Sequence, residues 1–233
     1  KYDVENMGNL CNFTGWMSGE ADWGYSSLTM PVINKALYDK IGKNDFRKKT
    51  FVDPDRENNP RKTIRSAEWL AEKPDYLALK FRCKEGDFNA FNVGGVVECP
   101  VMRVEEMYFI EAEAVAATQG VEAGKALLEN FMKTYRDPNY TCTAADLNAF
   151  VDEVWFQRRV ELWGEGFSLF DVLRLKQPIV RKGANFSGNV TFEDLPAESP
   201  VFIYSIPESE REANKGIDVS KLREDPVAPQ AIM

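Results

Sequence analysis

The sequence predicts a mainly α protein: a helical hairpin scaffold of tetratricopeptide type, with loop-rich regions and a few short strands around it. Three observations carry this reading. Apolar residues recur at helical spacing from Arg103 to Tyr135, broken at Gly120. Ala112, Ala116 and Ala117 are small enough to let the helices on either side of that break approach closely. Outside residues 103–175, glycine, proline and asparagine recur and break the chain into short runs. A helical hairpin with small-residue contacts is the unit of tetratricopeptide arrays, although no second copy is visible in these 233 residues.

The chain is read as one region in three parts: loop and strand over 1–102, a helical core over 103–175 and an irregular part over 176–233. The opening holds Phe13, Trp16, Trp23 and Tyr25 among Gly15, Gly19 and Gly24, and predicts an ordered loop, because glycine permits turns while aromatics need contacts. Pro31 suits a first-turn position, and Val32/Ile33, Ala36/Leu37 and Tyr38/Ile41 predict a helix that Gly42 ends. Tyr76 to Phe81 reads as a strand and Phe88 to Val97 as a second, with Glu85-Gly86-Asp87 as the turn. Arg103 to Gln119 forms a helix with Met107, Ile110, Ala114 and Ala117 on one stripe. Glu122 to Tyr135 repeats the period with Leu127/Leu128 and Phe131/Met132. A third helix begins at Thr143 as N-cap and lines its inner face with Leu147, Phe150/Val151, Val154/Trp155, Arg158 and Leu162. Phe167 to Leu175 forms a further helix, Val201 to Ile206 a strand and Pro207 to Asn214 a helical turn.

Composition narrows the function. With 44% hydrophobic and 28% charged residues the chain folds rather than staying disordered. It contains no histidine, which excludes Ser-His-Asp and Cys-His nucleophiles, His-ligated zinc and a histidine pH switch. A net charge of −8 with no basic stripe argues against nucleic acid as a partner. Four cysteines without a CxxC pair argue against a metal cluster. Asp53-Pro54-Asp55 starts like a calcium loop, but Asn58 stands where glycine is needed and Ile64 where a bidentate Glu should be, so it reads as a solvated turn. No metal and no cofactor are expected.

Three stretches together resemble the SusD/RagB family. They are Arg103-Val104-Glu105-Glu106-Met107-Tyr108-Phe109-Ile110-Glu111-Ala112-Glu113-Ala114; Arg158-Arg159-Val160-Glu161-Leu162-Trp163-Gly164-Glu165-Gly166-Phe167 continuing to Asp171 and Arg174; and Ile206-Pro207-Glu208 continuing to Asn214. Leu37-Tyr38-Asp39 and Asp45-Phe46-Arg47 are similar to further family features, so the resemblance covers roughly residues 28–217. It implies the C-terminal half of a longer surface lipoprotein of the bacterial outer membrane. Such a protein binds oligosaccharide without catalysis and passes it to a TonB-dependent (SusC-like) transporter. Its membrane association would come only through a lipid anchor upstream of these residues, and Cys11 is not in a lipobox context. The resemblance leaves open a peptide ligand, and also a chain whose main role is the transporter interface. In the extracytoplasmic setting it implies, a disulfide between Cys83 and Cys99 across the expected strand pair stands beside the reading of free thiols.

Trp16, Trp23 and Tyr25 are the candidate ligand residues. Sugar rings pack their C–H faces on aromatic planes, and binding modules present such rings from glycine-permitted loops. The same pattern is also that of rings buried in a loop-rich half, and sequence alone leaves both readings open. Trp69 and Tyr76 read as core residues. Arg158, Arg159, Glu161, Glu165, Asp171 and Arg174 contain the paired carboxylates that a hydrolase or lyase acting on polysaccharide would use, the rival reading of the whole protein. Alternating charge at helical spacing beside Trp155, Trp163 and Phe170 favours ion pairs that brace the helix instead, with no catalytic residue among them.

Overall fold

The computed structural model describes residues 12–56, 65–181, 184–185, 194–202 and 204–221. Its contacts gather into two compact units, Lys1–Gly166 and Phe167–Met233. The first holds α1 (Phe13–Met17), α2 (Gly24–Thr29), α3 (Lys35–Lys40), α4 (Ala67–Ala71), α5 (Phe91–Gly94), α6 (Val104–Gln119), α7 (Val121–Tyr135) and α8 (Leu147–Glu161). The second holds α9 (Ser168–Arg174) and α10 (Glu208–Ala213). Cys11, Asn58, Ile64 and the chain after Lys221 lie outside the described residues.

The expected hairpin is present. Gly120, with φ 106°, is at once the end of α6 and the start of α7, a conformation that strains any residue with a Cβ. The two helices meet where Gly124 faces Ala112 and Ala116; a Cβ on Gly124 would lie 2.5 Å from that of Ala116. Close approach buries Phe109, Ala112 and Ala116 of α6 against Leu128, Phe131 and Met132 of α7, and Phe150 and Val154 of α8 close this core. The expected stripe on α6 is therefore reversed: Met107 and Ile110 are 43% and 47% exposed. α6 is apolar on both sides, so period alone could not choose its inner face, and the small residues decided it. The N-cap of α8 is Asp146, which accepts from the Ala149 N–H at 2.9 Å, rather than Thr143.

The loop-rich half holds a second core of Ile33, Leu37, Tyr38, Ile41, Phe51, Tyr76 and Ala78. Val160 of α8 enters this core, so α8 packs on the hairpin through its first turns and on the loop-rich half through its last. Among the described residues, strand content here is limited to isolated antiparallel bridges, Val32 to Leu77 and Phe51 to Ala78. Residues 31–33 are engaged in that pairing through Ile33 N–H to Tyr76 O and Ala78 N–H to Pro31 O, and α3 starts only after Asn34, whose side chain caps the Ala36 N–H. Pro31 is thus not a first-turn residue.

The second expected strand is absent. Asp87 accepts from the N–H groups of Asn89 and Ala90 and turns the chain, and Gly94 N–H to Ala90 O closes the helical turn of α5. Gly94 packs against Trp23, where a Cβ would come within 2.7 Å of the indole. Without a strand pair there is no disulfide across it: Cys83 is a buried free thiol near the Ser18 hydroxyl and Cys99 an exposed one. Burial pushes the Cys83 thiol up to about 11. Of the expected strand at 201–206, in the second unit, Val201 and Phe202 belong instead to a 3-10 turn over Pro200–Phe202 closed by Phe202 N–H to Ser199 O, 204–206 carry no strand, and residue 203 lies outside the described residues. In that unit Ile179 and Leu195 form an antiparallel bridge. No helix of the described residues is long and apolar enough to cross a membrane.

Candidate functional site

The opening segment folds into two short helices rather than a loop, and their contact is made of glycine. Gly24, at φ 74°, lies so close to Gly15 that a Cβ would fall 2.5 Å from the Gly15 carbonyl oxygen. Asn12 fixes the base. Its Oδ1 accepts from the Gly15 N–H at 2.6 Å, the Thr14 hydroxyl at 2.9 Å and the Trp23 indole N–H at 3.4 Å. The Ser26 hydroxyl adds a bond to Thr14 O at 3.3 Å. Because Trp16 and Tyr25 directly follow the two touching glycines, their rings come together, with centroids 4.5 Å apart and planes tilted by 33°.

These two rings are 52% and 39% exposed. Trp23 departs from the expectation placed on it: only 5% exposed, it packs with Ala21, Cys83 and Phe88 beneath the helix pair. Its indole N–H has a polar partner in Asn12, which is what allows so large a side chain to be buried there. Nearby, Arg65 stacks on Phe88 at 3.9 Å and Trp69 at 4.6 Å while pairing with Asp22 at 2.6 Å, which braces the same region. Trp69 packs on Val52, Leu77 and Leu79, and Tyr76 is buried, so both serve the core.

The charged group of α8 forms a buried network. Glu161 lies under three guanidinium groups: Arg136 at 2.7 and 2.9 Å, Arg103 at 3.2 Å and Arg47 at 3.3 Å. Burial works to raise this carboxyl, but the Arg136 hydrogen bond and the charges of Arg47, Arg136 and Arg103 outweigh it and hold it at about 2. Glu165 accepts from Arg103 Nε at 2.9 Å and from the Lys80 ammonium, which also donates to the carbonyls of Glu161 and Trp163. Asp45 holds Arg47, and Glu105 bridges Arg103 and Arg136. Four carboxylates (Asp45, Glu105, Glu161, Glu165) thus meet four cations (Arg47, Lys80, Arg103, Arg136), and the cluster is neutral. Arg158 pairs with Glu106 at 3.3 Å, Arg159 lies over the Trp155 ring at 4.9 Å, and in the second unit Arg174 pairs with Asp171 at 2.8 Å. Asp53, first residue of the calcium-like stretch, accepts from the Tyr38 hydroxyl and from the Asp55 N–H, the geometry of a turn.

The sequence model of the SusD family matches residues 76–218. The chain belongs to the SusD family. Among solved structures, a SusD-like carbohydrate binding protein from Bacteroides vulgatus ATCC 8482 is 25% identical with a TM-score of 0.57, over 82% of this chain and 42% of its own. A SusD superfamily protein from the same organism gives 23% and 0.53, over 80% of this chain and 36% of its own. One from Bacteroides thetaiotaomicron VPI-5482 gives 20% and 0.55, over 84% and 40%. The chain therefore spans about two fifths of the length of these structures. No curated protein sequence matches it.

Six of the residues behind the SusD resemblance belong to the network. Arg103 and Glu105 come from the first stretch, Glu161 and Glu165 from the second, and Asp45 and Arg47 from the upstream pair. Sequence reasoning missed Lys80, Arg136 and Gln157, whose side-chain oxygen accepts from the Arg47 guanidinium. Arg136 follows the last residue of α7 and Gln157 lies one helical turn before Glu161, so their placement was readable only once α7 and α8 were known to be neighbours.

Proposed function

We propose that this chain is the glycan-binding part of a non-catalytic SusD-family protein. On the cell surface of a Bacteroides-type bacterium it captures oligosaccharide for a TonB-dependent outer-membrane transporter, with membrane attachment through a lipid anchor elsewhere in the polypeptide. The observation that carries the ligand site is the exposed, tilted Trp16–Tyr25 pair on its glycine-packed base. Two rigid rings side by side offer apolar planes to sugar C–H faces at little entropic cost. Trp23 acts from below, holding the pair in place through the loop it anchors. Support for the ligand class comes from the related B. vulgatus structure, named a carbohydrate binding protein.

The rival hydrolase reading needs a carboxyl that stays protonated near neutral pH to act as the acid. Glu161 is held at about 2 and shares its oxygens among three arginines, which suits bracing. The test is a calorimetric titration with a panel of oligosaccharides, alongside a reducing-sugar release assay. Trp16→Ala and Tyr25→Ala should each weaken binding roughly tenfold or more, the loss of about 1.4 kcal/mol of contact, with no sugar released by any variant. Unchanged affinity in the double variant would remove this site, and turnover would replace the binder by an enzyme.

A further inference from the structure

Of the nine described arginines from Arg47 to Arg174, eight lie within 3.6 Å of a carboxylate. Arg159 does not. In a chain of net charge −8, an arginine without an acid beside it is the unexpected one. The acids of its own helix are committed elsewhere: Glu153 accepts from the Tyr140 hydroxyl and the Gln157 amide, and Glu161 from the arginines of the network. Asp152 stands two turns earlier, in solvent. Burial lowers the Arg159 guanidinium from its ordinary value with no carboxylate to oppose it, whereas at Arg103 and Arg136 the neighbouring glutamates reverse that effect.

Beneath Arg159 lies a second donor. Its guanidinium sits 4.9 Å over the Trp155 ring, one turn earlier on α8, and the Trp155 indole N–H is buried without an acceptor. Trp23 shows the ordinary arrangement, in which a buried indole N–H is given to Asn12. A stacked cation accounts for the ring of Trp155 but not for its N–H, since a guanidinium donates and never accepts. Two donors thus lie at one place with nothing to receive them. Both side chains are only partly buried, so the place opens to solvent.

The charge and shape of the pair select the ligand. One guanidinium is a single positive charge, and its neighbour Arg158 is already held by Glu106, so the place balances a monoanion and not a phosphate dianion. The planar fork of N–H groups matches the two oxygens of a carboxylate. We propose that Trp155 and Arg159 form a carboxylate-binding site on α8, in which the guanidinium fork takes the anion and the indole N–H supplies a further hydrogen bond. The carboxylate is that of a uronic acid unit or of a free small acid. This site is independent of the Trp16–Tyr25 pair and uses a different kind of contact, charge instead of an apolar plane.

The test follows the Trp155 indole N–H resonance in proton–nitrogen correlation spectra, assigned by its loss in Trp155→Phe. Four probes are titrated into the chain at fixed ionic strength: methyl glucuronide, methyl glucoside, which lacks the carboxylate, sodium acetate and sodium methyl sulfate. Methyl glucuronide should shift the resonance saturably, and methyl glucoside should leave it in place. Arg159→Lys keeps the positive charge but loses the fork and the stacking, and should raise the dissociation constant roughly tenfold with the rest of the spectrum unchanged. Trp155→Phe keeps a ring and loses the N–H, and should weaken binding by a smaller factor, read from the backbone amides of α8. The double variant Trp16→Ala/Tyr25→Ala should leave methyl glucuronide binding at this site intact, so the two sites fail separately. Acetate bound as tightly as methyl glucuronide, and equally dependent on Arg159, assigns the site to free carboxylates; weaker acetate assigns it to acidic sugars. No saturable shift with either carboxylate, an affinity unchanged in Arg159→Lys, or methyl sulfate bound as tightly as acetate overturns the proposal.

Discussion

Replacing Glu161 tests the account of the buried network most directly. The carboxylate accepts from Arg136, Arg103 and Arg47, whose side chains retain only 12%, 25% and 5% exposure, so removing it leaves a concentrated excess of buried positive charge. Asp45, Glu105 and Glu165 still partner these arginines, which limits the damage. Glu161→Ala should lower the unfolding free energy by about 3–5 kcal/mol, the cost of breaking a buried ion pair from one side. Glu161→Gln keeps the volume but loses the charge and should fall short of that. The pH dependence gives an independent number. The carboxyl is held at about 2 in the folded chain against an ordinary 4.5, and a depressed carboxyl stabilises the fold above its unfolded value. That stabilisation is on the order of 3 kcal/mol. It is complete above about pH 5 and is lost as pH falls toward 2. Urea unfolding followed by tryptophan fluorescence between pH 3 and 7, at fixed ionic strength, measures both effects. The wild type should lose more stability over this range than Glu161→Gln does. Parallel pH profiles, or a Gln variant within about 0.5 kcal/mol of wild type at pH 7, would refute the claim that this carboxylate is what the arginines are folded around.

Other substitutions probe the remaining contacts. Gly24→Ala should destabilise the chain by about 1–3 kcal/mol and weaken oligosaccharide binding, since it adds a Cβ 2.5 Å from the Gly15 carbonyl at a positive φ; near-ultraviolet circular dichroism would show the altered Trp16 environment. Gly124→Val should loosen the α6–α7 contact and lower the melting temperature, despite removing a helical glycine, because the new side chain meets Ala116. Asn12→Ala should lose about 1 kcal/mol of capping and more from the unpaired Trp23 indole, read by chemical denaturation. Among Cys83, Cys99 and Cys142, a thiol reagent should modify Cys99 in the native chain and the other two only on unfolding, as mass mapping would show.

The helical middle of the chain was legible because its signals are local: the break at Gly120, the period on either side and the small residues of the contact. What was not legible depended on neighbours distant in sequence. The strand expected over Phe88 to Val97 became α5 because Asp87 turns the chain and Gly94 has to fit under Trp23, neither of which shows in a run of apolar residues. The face of α6 was misread for a related reason, since Gly124 on another helix decides it. At the candidate site, the residue types were readable and their exposure was not. Trp16, Trp23 and Tyr25 look alike along the chain, and the Gly15–Gly24 contact and the Asn12 hydrogen bond separate two surface rings from one interior ring.

The position of α8 has a consequence for how the first unit opens. Phe150 and Val154 belong to the hairpin core and Val160 to the loop-rich core, so neither half can come apart without stripping one end of the same helix. Arg47 and Glu161 add a clamp between segments 114 residues apart. Partial unfolding that frees one core while sparing the other is thereby penalised, and amide exchange along α8 should follow the global transition from its first turn to its last.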